Sequence, residues 1–371
     1  MSILIKNQTQ DIPNFSVIVN GYEYKNCWKS IHWENSMDNF CGGFGVATLD
    51  FFEEEPNLWQ IKRGAEYKIK VNDEQVGNGF IDVVNKKYGG NTSCEIEFMG
   101  RDKLCDIVDC PFETPPSEFK NQTYLNIIKE FCKPFDITVT VDPIILNQVS
   151  KIKKQYTIDE GRTIAEQIAE LCSNIGVLPI STGDGKLTLT QSTMINYCAD
   201  IISDTNILEA DFIDSGIDRF SKYIVKREGE PEKIYSTDKE WIYKIKENKY
   251  SDYFEDSNIK RYRPYIITDD DLKDKQACKE RAEYEANIRA SKSKTVTYTL
   301  EGWTEVKSGK VWKTNKLVLV KDKKLGLDEL MLINSVSATY DDSGYTISLQ
   351  LIDKNCYSLN EKIEANTEFS Q

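Results

Sequence analysis

Histidine is almost absent from this sequence: His32 is the only one among 371 residues. A Ser-His-Asp or Cys-His nucleophile would have to use that single side chain. It lies in Trp28-Lys29-Ser30-Ile31-His32-Trp33, which reads as a strand, where a histidine among aromatics reads as a packed or surface residue rather than a base. Paired cysteine spacing is absent as well. The ten cysteines stand at 27, 41, 94, 105, 110, 132, 172, 198, 278 and 356, and none forms C-x-x-C, the spacing of a zinc knuckle or thioredoxin-like site. Most sit beside apolar residues, as in Phe131-Cys132 and Leu171-Cys172, and read as small reduced core side chains. Neither G-x-x-x-x-G-K-[ST] nor a helix-opening G-x-G-x-x-G occurs, and Gly183-Asp184-Gly185 reads as a hairpin turn rather than a phosphate cradle. No run approaches the roughly 20 apolar residues of a membrane span. Met1 to Gln10 lacks the charged-then-apolar order of a secretory signal. These absences predict a chain made in a cytoplasm, with no catalytic residue, no cofactor, no metal and no membrane anchor.

What is present is acid and apolar surface. The formal charge is −13, from 60 acidic against 47 basic residues, which repels phosphate at long range and disfavours nucleic-acid readers and anionic membranes. With so many acids, some pair always lies near another, so carboxylate pairs carry no information about sugar hydrolysis. Apolar residues make up 40% of the chain, enough for real cores, and the length predicts two to four compact units.

From Ser16 to Arg101 the pattern is strand after strand. Ser16-Val17-Ile18-Val19 and Tyr22-Glu23-Tyr24 flank Asn20-Gly21, the pair favoured in two-residue hairpins because both positions tolerate positive φ. Tyr67, Ile69 and Val71 alternate with lysines, and Cys94, Ile96 and Phe98 with glutamates, so each strand has one apolar face. Pro111, Pro115 and Pro116 mark a boundary. Beyond it Tyr124, Ile127, Ile128 and Phe131 lie at helical spacing, then a strand over 137–141, then a second helix carrying Ile164, Ile168 and Leu171, then strands joined at Thr182-Gly183-Asp184-Gly185. Helix-then-strand thus occurs twice between about 120 and 192, a weak internal repeat. Residues 229 to 263 turn polar and tyrosine-rich, either a long loop or a small extra domain. Asp269 to Arg289 reads as a helix with aspartates in its first turn. A last β-rich run spans Thr295 to Asp353, turning at Tyr340-Asp341-Asp342-Ser343-Gly344-Tyr345, and the tail after Cys356 is polar and reads as loosely held.

Several longer strings, in shared order along nearly the whole chain, resemble the baseplate hub family of Mu-like contractile phages. They are Trp28-Lys29-Ser30-Ile31; Asp38 to Leu49 with its Cys-Gly-Gly-Phe centre; Gly79-Phe80-Ile81-Asp82-Val83-Val84; and Gly100-Arg101-Asp102-Lys103 leading into Asp106 to Cys110. In the second half they are Arg219 to Tyr223, Lys260 to Pro264, Arg281 to Glu285, Glu301-Gly302-Trp303, and Trp312 to Asn315 with Leu317 to Val320. The family pattern has tryptophan where Tyr284 stands and proline where Thr314 stands, departures that touch local packing.

The resemblance implies a mainly β fold with α+β insertions: two β-barrels similar to the tail-tube protein, plus small inserted α/β domains. On that pattern residues 1–112 form the first barrel, 113–204 an inserted α/β domain, 205–230 with 292–354 the second barrel opened by Arg219 to Val225, and 231–291 with 355–371 a small outer domain. It implies a structural, non-enzymatic subunit of a virion tail baseplate or tail-like particle, assembled in the host bacterial cytoplasm. The partners implied are its own copies in a homotrimer, the tail tube protein, the central spike protein and other baseplate proteins, with genomic DNA passing through the lumen unheld. Trp303, Trp312, Arg261 and Arg263 stand as candidate subunit-contact residues, against a core reading for the tryptophans and a solvated one for the arginines. The alternatives are a tail-associated cell-wall hydrolase and a carbohydrate-binding module; no segment large enough for a hydrolase is left once the β domains are assigned.

Overall fold

A computed structural model describes residues 2–4, 14–25, 27–48, 61–89, 93–113, 116–192, 195–227, 231–235, 241–245, 250–269, 272, 274–342 and 344–357. Pro115, Ser343 and the tail from 358 onward, named above, lie outside the described residues. Contacts divide the chain into two compact units, residues 1–212 with 295–354 and residues 213–294 with 355–371.

The first unit is built on one 14-stranded sheet. In its first half Phe15–Val19, Glu66–Val71, Glu74–Gly89, Ser93–Asp102, Gly43–Thr48 and Trp28–Ser36 are neighbours in that order. In its second half the order is Tyr197–Ser203, Leu317–Asp322, Leu327–Asp341, Gly344–Asp353, Lys294–Glu301 and Ile207–Asp214. Ranked along the chain, these six strands of each half read first, fourth, fifth, sixth, third, second; in the first half alone Tyr22–Lys25 and Ser2–Leu4 add outside Phe15–Val19. The fifth strand of each slips register against the sixth at one place, between Ile81 and Val83 and between Ile333 and Ser335. The two bulges align Asp82 with Asn334. The first strand differs: Phe15–Val19 runs antiparallel to the fourth, Tyr197–Ser203 parallel. Tyr197–Ser203 and Ile207–Asp214 therefore open the second half. Lys222–Arg227, in the segment expected to do so, pairs instead with Tyr250–Glu255 and Pro264–Thr268.

The halves share one core. The second strand of the first half joins the fifth of the second, from Ser335 opposite Ser36 to Tyr340 opposite Ile31. Inward residues of both, among them Phe15, Trp28, Ile31, Phe98, Tyr298, Trp303 and Leu349, form a single apolar cluster. Burial follows the alternation: Glu66–Val71 hides Tyr67, Ile69 and Val71 and wets Glu66 and Lys68. Its hairpins have the expected chemistry, with Asn20 and Gly21 at φ 49° and 83° and Tyr340 opposite Tyr345.

The α/β insertion also belongs to this unit. Tyr124–Cys132 begins at Thr123, whose hydroxyl accepts from Asn126 N–H, and buries Ile127, Ile128 and Phe131. Ile164–Asn174 opens with a full capping box between Thr163 and Glu166 and buries Ile168 and Leu171. Both helices share a core with Leu187 and Leu189 of a three-stranded sheet ordered Val139–Val141, Leu187–Thr190, Leu178–Ser181. Gly183 and Gly185 turn the hairpin at φ 78°, and a Cβ on Gly183 would lie 2.3 Å from the Val76 carbonyl oxygen, so the turn rests on the large sheet.

In the second unit, the three-stranded sheet of Lys222–Arg227 packs on the helix Lys275–Ser293 through Tyr223, Val225, Cys278 and Ala282. The helix starts later than the sequence suggested. Asp274 is its N-cap, accepting from Ala277 N–H, and its first turn holds no acid. The tyrosine-rich stretch is a sheet region: Pro231–Tyr235 pairs with Trp241–Ile245, and Tyr250–Glu255 joins the three-stranded sheet.

Candidate functional site

The residue types that do chemistry are committed to structure. His32 points outward from its strand, 3.7 Å from Glu34. Burial pushes the thiols of Cys27, Cys105 and Cys132 up to about 12, so they stay protonated and unreactive. Among the described residues no group of three His, Cys, Asp or Glu is placed to hold a metal ion. A cavity of about 260 Å³ in the first unit is lined by Trp33, Trp312, Asp142, Lys313 and Lys316 among others. Its charges already have partners: Asp142 accepts from Thr190 and Ile144, Lys313 pairs with Glu74 and Lys316 with Glu305. Among the described residues no helix is long and apolar enough to cross a membrane.

The four residues singled out for subunit contact are not brought together. Trp303 is fully buried, its indole N–H shared between the carbonyls of Thr339 and Thr346 and its ring edge-on to Phe15 and Tyr345. Trp312 is buried as well. Both tryptophans belong to the buried apolar cluster of the first unit, with Trp312 N–H donating to the Trp303 carbonyl at 3.2 Å. Arg263 lies over the Phe220 ring and donates to the Gly216 and Ile217 carbonyls, fastening a loop of its own unit. Arg261 is exposed.

The strings behind the family resemblance are structural corners. Arg101 is held by Asp82 and Asp109, both at 2.8 Å. Next to it Asp102 is buried, accepting from Leu104 N–H and the Ser181 hydroxyl, and so ties sheet to insertion. Burial, with Asp184 nearby, lifts its pKa to about 6. In the second unit Arg219 clamps Asp256, and Glu285 sits between Arg281 and Arg289, its acidity strengthened by both despite burial.

Two sheet edges were not singled out in the sequence. Ile207–Asp214 ends the 14-stranded sheet and is exposed nearly throughout, including Leu208, Phe212 and Ile213. On the fifth strand of the first half, the fourth strand covers Glu74 to Phe80. Beyond it Val83 to Tyr88 have the sixth strand on one side and, among the described residues, no strand on the other. The signal for Ile207–Asp214 lay in its sequence, Ile-Leu-Glu-Ala-Asp-Phe-Ile-Asp, where alternation puts Leu208, Ala210 and Phe212 on one face and Glu209 and Asp211 on the other.

Three family profiles match the chain. They are the N-terminal domain of the Mu phage baseplate assembly protein GpP-like family over residues 14–102, the second domain of the baseplate hub protein gp44-like family over 104–191, and the fourth domain of GpP over 274–360. The baseplate hub protein gp44 of Escherichia phage Mu is 26% identical over 319 residues, 85% of this chain and 81% of that protein. The 43 kDa tail protein of prophage MuSo2 from Shewanella oneidensis superposes with a TM-score of 0.78 at 28% identity, over 93% of this chain and 100% of that one. A tail protein from Neisseria meningitidis MC58 shares the fold with a TM-score of 0.76 at 18% identity, over 93% and 98%.

Proposed function

Starting from a chain that is a structural baseplate hub protein of the Mu-like kind, we propose that three copies form a ring joining the hexameric tail tube to the trimeric central spike. The observation that carries this reading is the repeated strand order. Each chain presents two sheet halves that share one order over six strands, so three chains present six. Such a ring meets a sixfold tube on one face while its true symmetry remains threefold for a spike on the other. The partners on this reading are the tube protein, the spike protein and neighbouring baseplate proteins. The DNA passes a wall whose mean charge repels phosphate. Residues 104–191 and the second unit are insertions carried by the ring rather than parts of it.

The test is the native mass of the purified protein together with a map of the assembled baseplate. Three chain masses in solution and a ring of six sheet halves in the map are expected. A stable hexamer, or a map in which only one half of each chain borders the lumen, overturns the reading.

A further inference from the structure

The joint between the two halves inside one chain is a finished example of a sheet-to-sheet junction. There the second strand of the first half lies against the far half of the fifth strand of the second, over Ser335 to Tyr340. The fourth strand ends just before it, at Leu332. Aligned on the two bulges, Ser335 to Tyr340 correspond to Val83 to Tyr88, and Leu332 to Phe80, where the fourth strand of the first half also ends. The junction therefore has a second potential socket, Val83 to Tyr88, and a second potential insert, Ile207–Asp214. Among the described residues these are the strand positions used once and left over once.

Burial marks the difference between used and unused. At the occupied socket Val336 and Ala338 are buried; their counterparts Val84 and Lys86 are half-buried and exposed. The insert that is used, Trp28–Ser36, buries Trp28, Ile31 and Trp33. The unused one leaves Leu208 60% and Phe212 41% exposed. A long exposed strand edge carrying apolar side chains templates pairing with another strand. Opposite charge lies on the two strands, with Lys86 and Lys87 at the socket, Lys87 also 3.4 Å from Glu97 of its own chain, and Glu209 and Asp211 on the insert.

We infer that Ile207–Asp214 of one copy adds antiparallel to Val83–Tyr88 of a second copy, repeating between chains the junction that Trp28–Ser36 makes within one. The inference rests on the ring proposed above and specifies how the ring closes. One chain offers an insert at one end and a socket at the other, a heterologous contact that closes after a fixed number of copies. With three copies, three internal and three intermolecular junctions alternate, and the sheet runs unbroken around the lumen.

The test takes the full chain in two forms. Lys86→Glu with Lys87→Glu is expected to raise the dissociation constant of the trimer by at least about tenfold, and adding Glu209→Lys with Asp211→Lys to restore it. Separately, Lys87→Cys combined with Asp211→Cys, or with Glu209→Cys one same-face step along, is expected to give a covalent trimer on mild oxidation that wild type does not give. A wild-type trimer that neither charge reversal weakens nor either cysteine pair locks overturns this junction and leaves the ring standing. A wild-type chain that is monomeric in solution and not threefold in the baseplate overturns both.

Discussion

The two halves of the large sheet share one order over six strands while most of their aligned residues differ, and the way they differ shows what a fold demands of its sequence. In the first half Phe44 stands opposite Gly100; at the matching place in the second, Val296 stands opposite Leu351. The first pair sets one aromatic ring beside a glycine and the second divides the layer between two aliphatic side chains, so the space is filled while identity is not kept. The exchange is not free for each partner alone: a Cβ on Gly100 would come within 2.5 Å of the Phe44 ring. Asp102 and Asp353 also correspond, opposite Gly79 and Met331. The insertion covers the first and leaves the second exposed. The ladder is common to both halves, and what each half joins decides the environment of its residues.

The largest effect is expected where the halves meet. Trp303, on the second half, packs edge-on to Phe15 of the first at 5.7 Å. Trp303→Ala removes a buried indole and should cost about 3–5 kcal/mol. Because the core is shared, urea unfolding followed by far-ultraviolet circular dichroism is expected to shift the β signal of both halves together. If that signal splits into one unshifted and one shifted transition, the halves are independent barrels and the shared-core comparison breaks.

Asp102, which the insertion covers, gives the next effect, and it depends on pH. The folded pKa of Asp102 is lifted from an ordinary 3.8 to about 6. Between those values the native chain holds a proton that the unfolded chain has lost. Its contribution is thus fully present below about pH 4, falls as pH rises through 6 and is flat beyond. At about 1.4 kcal/mol per pKa unit the change is at most about 3 kcal/mol. Asp102→Asn, which can still accept from Leu104 N–H and meet Ser181, should abolish this slope and be more stable than wild type at pH 8. Denaturation midpoints from pH 4 to 8 for wild type and Asp102→Asn decide it, and equal slopes for the two would remove Asp102 from the pH dependence.

Much of this was legible in the sequence. Alternation located the strands from Tyr67 to Val71 and from Val296 to Leu300, and Asn20-Gly21 and Tyr340 to Tyr345 located hairpins, because period and turn chemistry are local properties. The helix at 164–174 was legible from its apolar spacing for the same reason. The allocation of Lys222–Arg227 was not. A short β-branched strand has the same texture in a large sheet as in a small one, and only its partners, here Tyr250–Glu255 and Pro264–Thr268, place it. The aromatic content of Glu301 to Trp312 did not separate anchor from core, since both uses favour tryptophan. The edge at Val83 to Tyr88 escaped notice because an edge is the lack of a neighbour, which the residues of the strand do not encode.

The smallest effects belong to the two bulges. Asn334 is buried at its bulge, and its amide donates to Asp38 at 2.7 Å and to Gln350 at 3.0 Å. Asp82, at the matching bulge, meets Arg101 at 2.8 Å with both side chains about two-fifths exposed. Water already solvates the second pair, so Asp82→Ala should cost below about 1 kcal/mol and less still in high salt. Asn334→Ala removes a buried amide that donates both to the Asp38 carboxylate, itself exposed, and to half-buried Gln350, and should cost about 1–3 kcal/mol with little response to salt. Chemical denaturation in low and high salt reads both. The bulge is a backbone feature in each half, so neither substitution should remove it, and amide exchange at Val83 and Ser335 should stay as in wild type. Costs that come out equal, or a salt response at Asn334, would mean that the two bulges are held by the same forces after all, and that burial by the neighbouring half does not set them apart.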